Sequence, residues 1–258
     1  MYFLPSPSWL DAADNNLFLN HGVSKEESKN FKFNREEIVK SNRGFGIFRP
    51  YEIDDRLTLE QHARKYGLEI GVGGDGIQIE KKGVGCTPHQ SVDNCFAFSF
   101  IESYILVTID LVKSGIHPWV LDHVRPLIII NQSVNHRYDC SAVVGMMARL
   151  DSTREWEQLG EEQKSNRVGI VSKRWKGWQT ANWEKMTVQL DKYPSGMRFL
   201  KIVTAGRDNQ FWKGFYGPKV ANLEVQIVLP IEPLIEGWNM DGDYFDLDEM
   251  AEAIEHID

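Results

Sequence analysis

A chain of 258 residues, 42% hydrophobic and 26% charged, is long enough for one large β domain or two small ones, and it has no run of about 18 apolar residues to cross a bilayer. Its net charge of -8 is localised: residues 241–258 hold eight acids and no Lys or Arg, which leaves 29 acids against 29 bases in the remainder. A neutral body lacks the basic face that nucleic acid demands, so nucleic acid is not an expected partner and neither is membrane insertion.

The opening stretch MYFLPSPSWLDAADNN has neither a basic n-region nor a long apolar core, so it does not read as a secretory signal, and a cytoplasmic location is expected. The three cysteines, Cys86, Cys95 and Cys140, are odd in number and form no CxxC pair, so reduced, mostly buried thiols are expected. The sequon Asn131-Gln132-Ser133 should then stay unused.

Residues 1–42 form an irregular segment with a helical patch around 25–40 (KEESKNFKFNREEIVK). Residues 56–66 (RLTLEQHARKY) read as a short helix, with Leu57, Leu59 and His62 near one face. From residue 67 the texture changes to LEIGV, GIQIE, CFAFSF, YILVTIDLV, RPLIIIN, DCSAVVGMMARL, RVGIV, KMTVQL, MRFLKIV and NLEVQIV. These runs are rich in Val, Ile, Phe and Thr, several alternate with period two, and turn residues separate them. One helical insert is expected, HPWVLDHV at 117–124. About ten strands from residue 67 on, with few helices, predict an all-β fold, an antiparallel β-sandwich or jelly roll. The prolines of PIEPLIEGW (230–238) end strand pairing, and an acidic extension over 230–258 follows. Within it, residues 246–257 fit either an amphipathic helix or an unstructured tail.

Familiar catalytic signatures fail on inspection. GVGGDG (71–76) satisfies G-x-G-x-x-G, but a strand, IQIE, follows it where a dinucleotide site needs a helix, so it reads as a hairpin turn. The seven histidines form no HExxH and no Cys/His ligand spacing, G-x-S-x-G elbows are absent, and acid pairs such as Asp54-Asp55 read as solvated. No enzyme activity, cofactor or metal is expected.

The stretch DNQFWKGFYGPKVANLEV (208–225) crowds Phe211, Trp212, Phe215 and Tyr216 around Lys213, with glycines at 214 and 217. Some of these rings must fill the core, and period-two alternation would turn Phe211 and Lys213 one way and Trp212 the other. Phe215 and Tyr216 read as packing and strand residues. Lysine is almost never fully buried, so its face meets solvent or a ligand. An exposed indole beside donors suits a pyranose, which has an apolar C–H face and a rim of hydroxyls. The residues by themselves leave open a purely structural role for the stretch.

Several ordered motifs carry a family resemblance over residues 43–229. YPSGMRFLKIVTAGRDNQFWKGFYGPKVANLEV, VLDHVRPLIIINQSVNHRYDC, FAFSFIESYILVTIDLV and GGDGIQIE stand in the order and spacing of one domain family. The chain resembles the F-box-associated domain of the sugar-recognising F-box proteins, substrate receptors of Skp–cullin–F-box ubiquitin ligases. The resemblance implies a ten-stranded jelly-roll-like sandwich of the galactose-binding-like kind, which binds the inner chitobiose of high-mannose N-glycans through loops at one end. Carried over by position, it implies sugar contacts from Phe100, Asp139, Phe211, Trp212 and Lys213. Phe211 stands where the family has tyrosine, one hydrogen bond fewer, worth roughly 0.5–1.5 kcal/mol. The implied partners are misfolded N-glycosylated proteins and Skp–cullin components, with a role in glycoprotein quality control. Residues 1–66 show no recognisable F-box, so the alternative is a protein-interaction module on the same sandwich that has lost both glycan binding and ligase recruitment.

Overall fold

The computed structural model describes residues 47–228, apart from 117 and 119. The expected helical patch at 25–40 and the acidic extension from 230 lie outside the described residues.

The first described strand is short: β1, Ile47–Phe48. Helix α1 (Leu59–Tyr66) starts at Thr58, whose hydroxyl accepts from the Gln61 N–H while the Gln61 side chain accepts from the Thr58 N–H; Gly67 ends it at φ 64. Its His62 is fully buried against the Phe96 ring, accepts from the Asp54 N–H through Nε2 at 3.0 Å and lies 2.8 Å from the Thr58 carbonyl through Nδ1. Those partners specify a neutral ring protonated on Nδ1.

Ten further strands follow: β2 (Leu68–Gly71), β3 (Ile77–Lys81), β4 (Asn94–Phe98), β5 (Ser103–Asp110), β6 (Leu127–Asn135), β7 (Ala142–Asp151), β8 (Val168–Trp175), β9 (Glu184–Leu190), β10 (Phe199–Asp208) and β11 (Lys219–Val228). They pair antiparallel in two sheets, β3-β4-β11-β6-β9 with β1 on β11, and β2-β5-β10-β7-β8. The expected sandwich of about ten strands is therefore the observed one. Two helical details differ from expectation. The insert near 120 is one π-type turn, Val120–Val124. A second helix, α2 (Glu161–Arg167), runs directly into β8; its EEQKSNR sequence has no apolar stripe, so periodicity does not reveal it.

Period-two alternation decides what goes inside. In β6, Ile128, Ile130 and Val134 are buried; in β11, Leu223, Val225 and Ile227 are. Polar Gln132 shares this inner face and is satisfied there: the Thr204 hydroxyl of β10 donates to its carbonyl oxygen at 2.7 Å, a hydrogen bond between the two sheets. Cys86, Cys95 and Cys140 are all free thiols, and burial pushes Cys86 and Cys140 up to about 12. Asp54 and Asp55 are not simply solvated. Arg56 hydrogen-bonds Asp54 and holds it far below the usual carboxylate range, and Lys81 pairs with Asp55 at 2.7 Å.

The registers settle which loops share an end. Gly206 pairs Ser103, Asp208 pairs Ala142 and Ala142 pairs Trp175 in one sheet; Ile77 pairs Phe98, and Asn135 pairs Lys219 in the other. The connections β2–β3, β4–β5, β6–β7, β8–β9 and β10–β11, each crossing between sheets, therefore gather at one end. At the other end, Asp151 lies fully buried among Arg149 (2.7 Å), Arg167 (3.0 Å) and Lys201 (2.7 Å), and Arg167 also pairs with Glu157 at 2.6 Å.

Burial opposes ionisation of Glu157, but hydrogen bonds from Ser152 and Arg167 outweigh it and bring the carboxyl down to about 2. Its folded value lies below the unfolded one, so its stabilisation is complete above pH 4.5 and is lost as pH falls toward 2. Glu157→Gln should remove on the order of 1–2 kcal/mol at pH 7, after allowance for its partial exposure, and flatten the decline of stability between pH 4.5 and 2. Urea unfolding across that range checks this.

Candidate functional site

The β10–β11 loop, residues 209–218, begins with a turn set by a buried acid. Asp208 is fully buried, and its Oδ1 accepts from the backbone N–H groups of Gln210 (2.8 Å) and Phe211 (2.5 Å). This side-chain-capped turn carries Phe211 into the left-handed region at φ 57. A bulky aromatic there costs roughly 1–2 kcal/mol, and it is held because the carboxylate determines the turn. The same turn breaks strand alternation, so the expectation that Phe211 and Lys213 face opposite to Trp212 on a strand does not apply. Phe215 and Tyr216 also lie in the loop, not in a strand.

Three further ties hold the loop. Gly214, at φ 108, donates its N–H to Asp75 Oδ2 at 2.7 Å, joining the loop to the Gly73–Gly76 turn. Gly217 donates to the Phe98 carbonyl at 2.9 Å, and a side chain at 217 would put its Cβ 2.6 Å from that oxygen, so only glycine fits. Most consequential is Lys219, with 0% exposure: its ammonium donates to the Phe215 carbonyl at 2.7 Å and pairs with Glu80 at 3.0 Å. The other Glu80 oxygen accepts from the Val84 N–H at 2.8 Å. One buried ion pair thus fastens both the 209–218 loop and the loop after β3 to the sheet.

On this support Phe211 is 65% exposed, Trp212 40% exposed, and Lys213 exposed. The Trp212 ring stands edge-to-face on Tyr216 at 5.6 Å. The Arg137 guanidinium lies over the opposite partner, the Tyr216 ring, at 4.4 Å and is paired with Asp139 Oδ1 at 2.7 Å. Asp139 is mostly buried and its Oδ1 is engaged by Arg137; through Arg137 and Tyr216 it braces the Trp212 ring. Phe100 is half-buried on the β4–β5 loop, its ring edge 3.0 Å from where a Cβ on Gly74 would sit. Gly74 neighbours Asp75, so Phe100 joins the Phe211–Lys213 triplet through the Gly73–Gly76 turn. All five sequence-chosen residues stand on loops at one end.

Sequence reasoning missed Tyr216, Arg137, Asp75 and Asp208. Asp75 and Asp208 had a readable signal, each an acid in a Gly- or Asn-containing turn; Arg137 and Tyr216 meet only through the fold. Chemically the site offers exposed ring faces, an ammonium and backbone groups. Among the described residues no group of three His, Cys, Asp or Glu side chains converges as a metal site would require, and no helix is long and apolar enough to cross a membrane.

Residues 53–227 match the family model of the F-box associated region. The chain belongs to this family. It is 27% identical over 158 residues to F-box only protein 6 of Homo sapiens, a match covering 60% of this chain and 52% of that protein. F-box only protein 2 of Bos taurus is 28% identical, covering 62% of this chain and 53% of the relative. The chain thus matches about half the length of these relatives. Solved structures resemble it more distantly. TmCBM61 in complex with β-1,4-galactotriose aligns at TM-score 0.36 and 10% identity, covering 61% of this chain and 86% of that one. An apo cyclase from Fischerella aligns at 0.39 and 11%, covering 65% and 83%. Similarity this low carries no argument about ligand or activity.

Removing one partner of the Lys219–Glu80 pair strands a buried charge, so Lys219→Met should cost about 3–5 kcal/mol. Lys219→Met combined with Glu80→Leu should recover most of that loss. Thermal and denaturant unfolding of the single and double variants measures both.

Proposed function

We propose that this chain is a non-catalytic glycoprotein-binding module that takes the chitobiose core of high-mannose N-glycans at the five-loop end. The observation that carries the reading is the pair of exposed rings, Phe211 and Trp212, beside exposed Lys213 on a loop tied down by Asp75, Asp208 and Lys219. Exposed rings on a rigid support are costly for solubility and useful for stacking on an apolar sugar face. Lys213 supplies donors to hydroxyls, Phe100 adds a second apolar wall, and Asp139 acts by bracing. The family membership supports the same reading.

In the cell this module acts as a substrate receptor for misfolded N-glycosylated proteins in the cytoplasm, as part of a Skp–cullin-type ubiquitin ligase in glycoprotein quality control. Phe211 lacks the tyrosine hydroxyl that the resemblance implies at its position, which favours one competing reading, an interaction module that binds protein and no glycan. Retention on immobilised chitobiose separates the two. The wild type should be retained, and Trp212→Ala should lower affinity at least about tenfold, in line with the roughly 1–3 kcal/mol that an aromatic stacking platform contributes. The variant's melting temperature should stay near the wild-type value because the ring is partly exposed. Equal retention of both proteins, or none of the wild type, sinks the glycan reading.

A further inference from the structure

A cavity opens beside Phe211. It measures about 550 Å³, within the range of small-molecule sites, and is walled by Trp178, Phe211, Arg174, Lys176, Arg207 and Gln210 among others. Its floor follows from register. Arg207 of β10 and Arg174 of β8 both pair with Val143 of β7, so the three share the outer face of one sheet. The two arginines therefore stand about 10 Å apart, two strand spacings. The β8–β9 loop adds Lys176 at the rim.

These three cations meet no carboxylate at ion-pair distance among the described residues. Arg207 sits over the Phe211 ring at 5.6 Å and donates to the Asp208 carbonyl at 3.3 Å, while the Asp208 carboxylate is buried on the inner face of the strand. Lys173, one residue from Arg174, is neutralised by Glu184, which makes the uncompensated neighbours more telling. No acidic residue lines the cavity. In a chain whose acids and bases otherwise balance outside the tail, this is a local excess of positive charge around an open depression.

The aromatic walls are equally particular. Trp178 is 76% exposed and held at φ 63 by its N–H, which donates to the Tyr138 carbonyl at 2.6 Å; the Tyr138 ring meets the indole edge-to-face at 6.3 Å. Phe211 faces the same cavity at φ 57. Two aromatic residues on separate loops, both in a backbone conformation that bulky side chains rarely adopt, present rings to one cavity.

We infer that this cavity is a second saccharide subsite, selective for a pyranose bearing an anionic group, a carboxylate or a phosphate ester. The rings take the apolar sugar face, and Arg174, Arg207 and Lys176 take the anion, the planar guanidiniums in bidentate fashion. It extends the proposed glycan site, with which it shares Phe211, and rests on that reading for the choice of a sugar as ligand.

Calorimetric titration of the protein at low salt tests it, with mannose 6-phosphate and glucuronic acid set against mannose and glucose. At least one acidic sugar should bind about tenfold or more tightly than its neutral parent, and the comparison between the two says which anion the site takes. Arg174→Gln with Lys176→Gln should remove most of that preference, and Trp178→Ala should weaken the acidic sugar, while both leave N,N′-diacetylchitobiose binding unchanged. Trp212→Ala should do the reverse, so the two subsites fail separately. Equal affinity for acidic and neutral sugars overturns the inference, as does a preference that survives the double variant or a Trp178→Ala variant that binds unchanged. Inorganic phosphate or a hexaglutamate peptide binding as tightly as the acidic sugar also overturns it, since either would mark a plain anion site.

Discussion

The Lys219 ammonium, sealed from solvent against Glu80, is the interaction on which the site end depends. An isolated charge in such a place would be prohibitively costly, and the pair persists because both partners also hold backbone: Lys219 the Phe215 carbonyl, Glu80 the Val84 amide. A hydrophobic pair of similar volume could match its contribution to stability. It could not specify where the 209–218 loop stops, because apolar packing has no direction and hydrogen bonds do. Asp208 and Asp75 repeat the device at the start and middle of the loop, each spending a carboxylate on backbone amides. The cost of four buried or turn-bound charges and of a phenylalanine at positive φ is met by the sandwich, whose inner faces interlock along β6, β11, β7 and β10.

The strands were legible in the sequence because period-two alternation of Val, Ile, Leu and Met maps directly onto burial, as in Leu223, Val225 and Ile227. The turn at 71–76 was legible because a strand follows the last glycine. Helix α2 was not, since EEQKSNR carries no apolar stripe and forms where the chain must leave the β7–β8 connection for β8. The triplet Phe211–Lys213 stood out as aromatic and basic residues flanked by glycine. What surrounds it did not: Arg137 and Tyr216 are distant in sequence and meet only when β6 and β11 pair at Asn135 and Lys219. Asp139 shows the same limit: the resemblance places it at the site, and its Oδ1 ion pair with Arg137 becomes visible only in the fold.

Topology explains how the aromatic loop and the basic cavity can share one end. Five connections cross between the sheets there, so each can vary in length and side chains without disturbing strand register. The β10–β11 loop carries both, with Trp212 against Tyr216 and Phe211 lining the cavity together with Trp178 and the two arginines. Phe211, 65% exposed, is the residue that the two features have in common.

Backbone amide NMR during titration with N,N′-diacetylchitobiose tests the central claim that this loop end is a sugar site. Shift changes should concentrate at residues 209–217, at Gly73–Asp75 and around Phe100, with the opposite end near Asp151 unaffected. No saturable shifts at millimolar ligand, or shifts confined to any other surface, would contradict it.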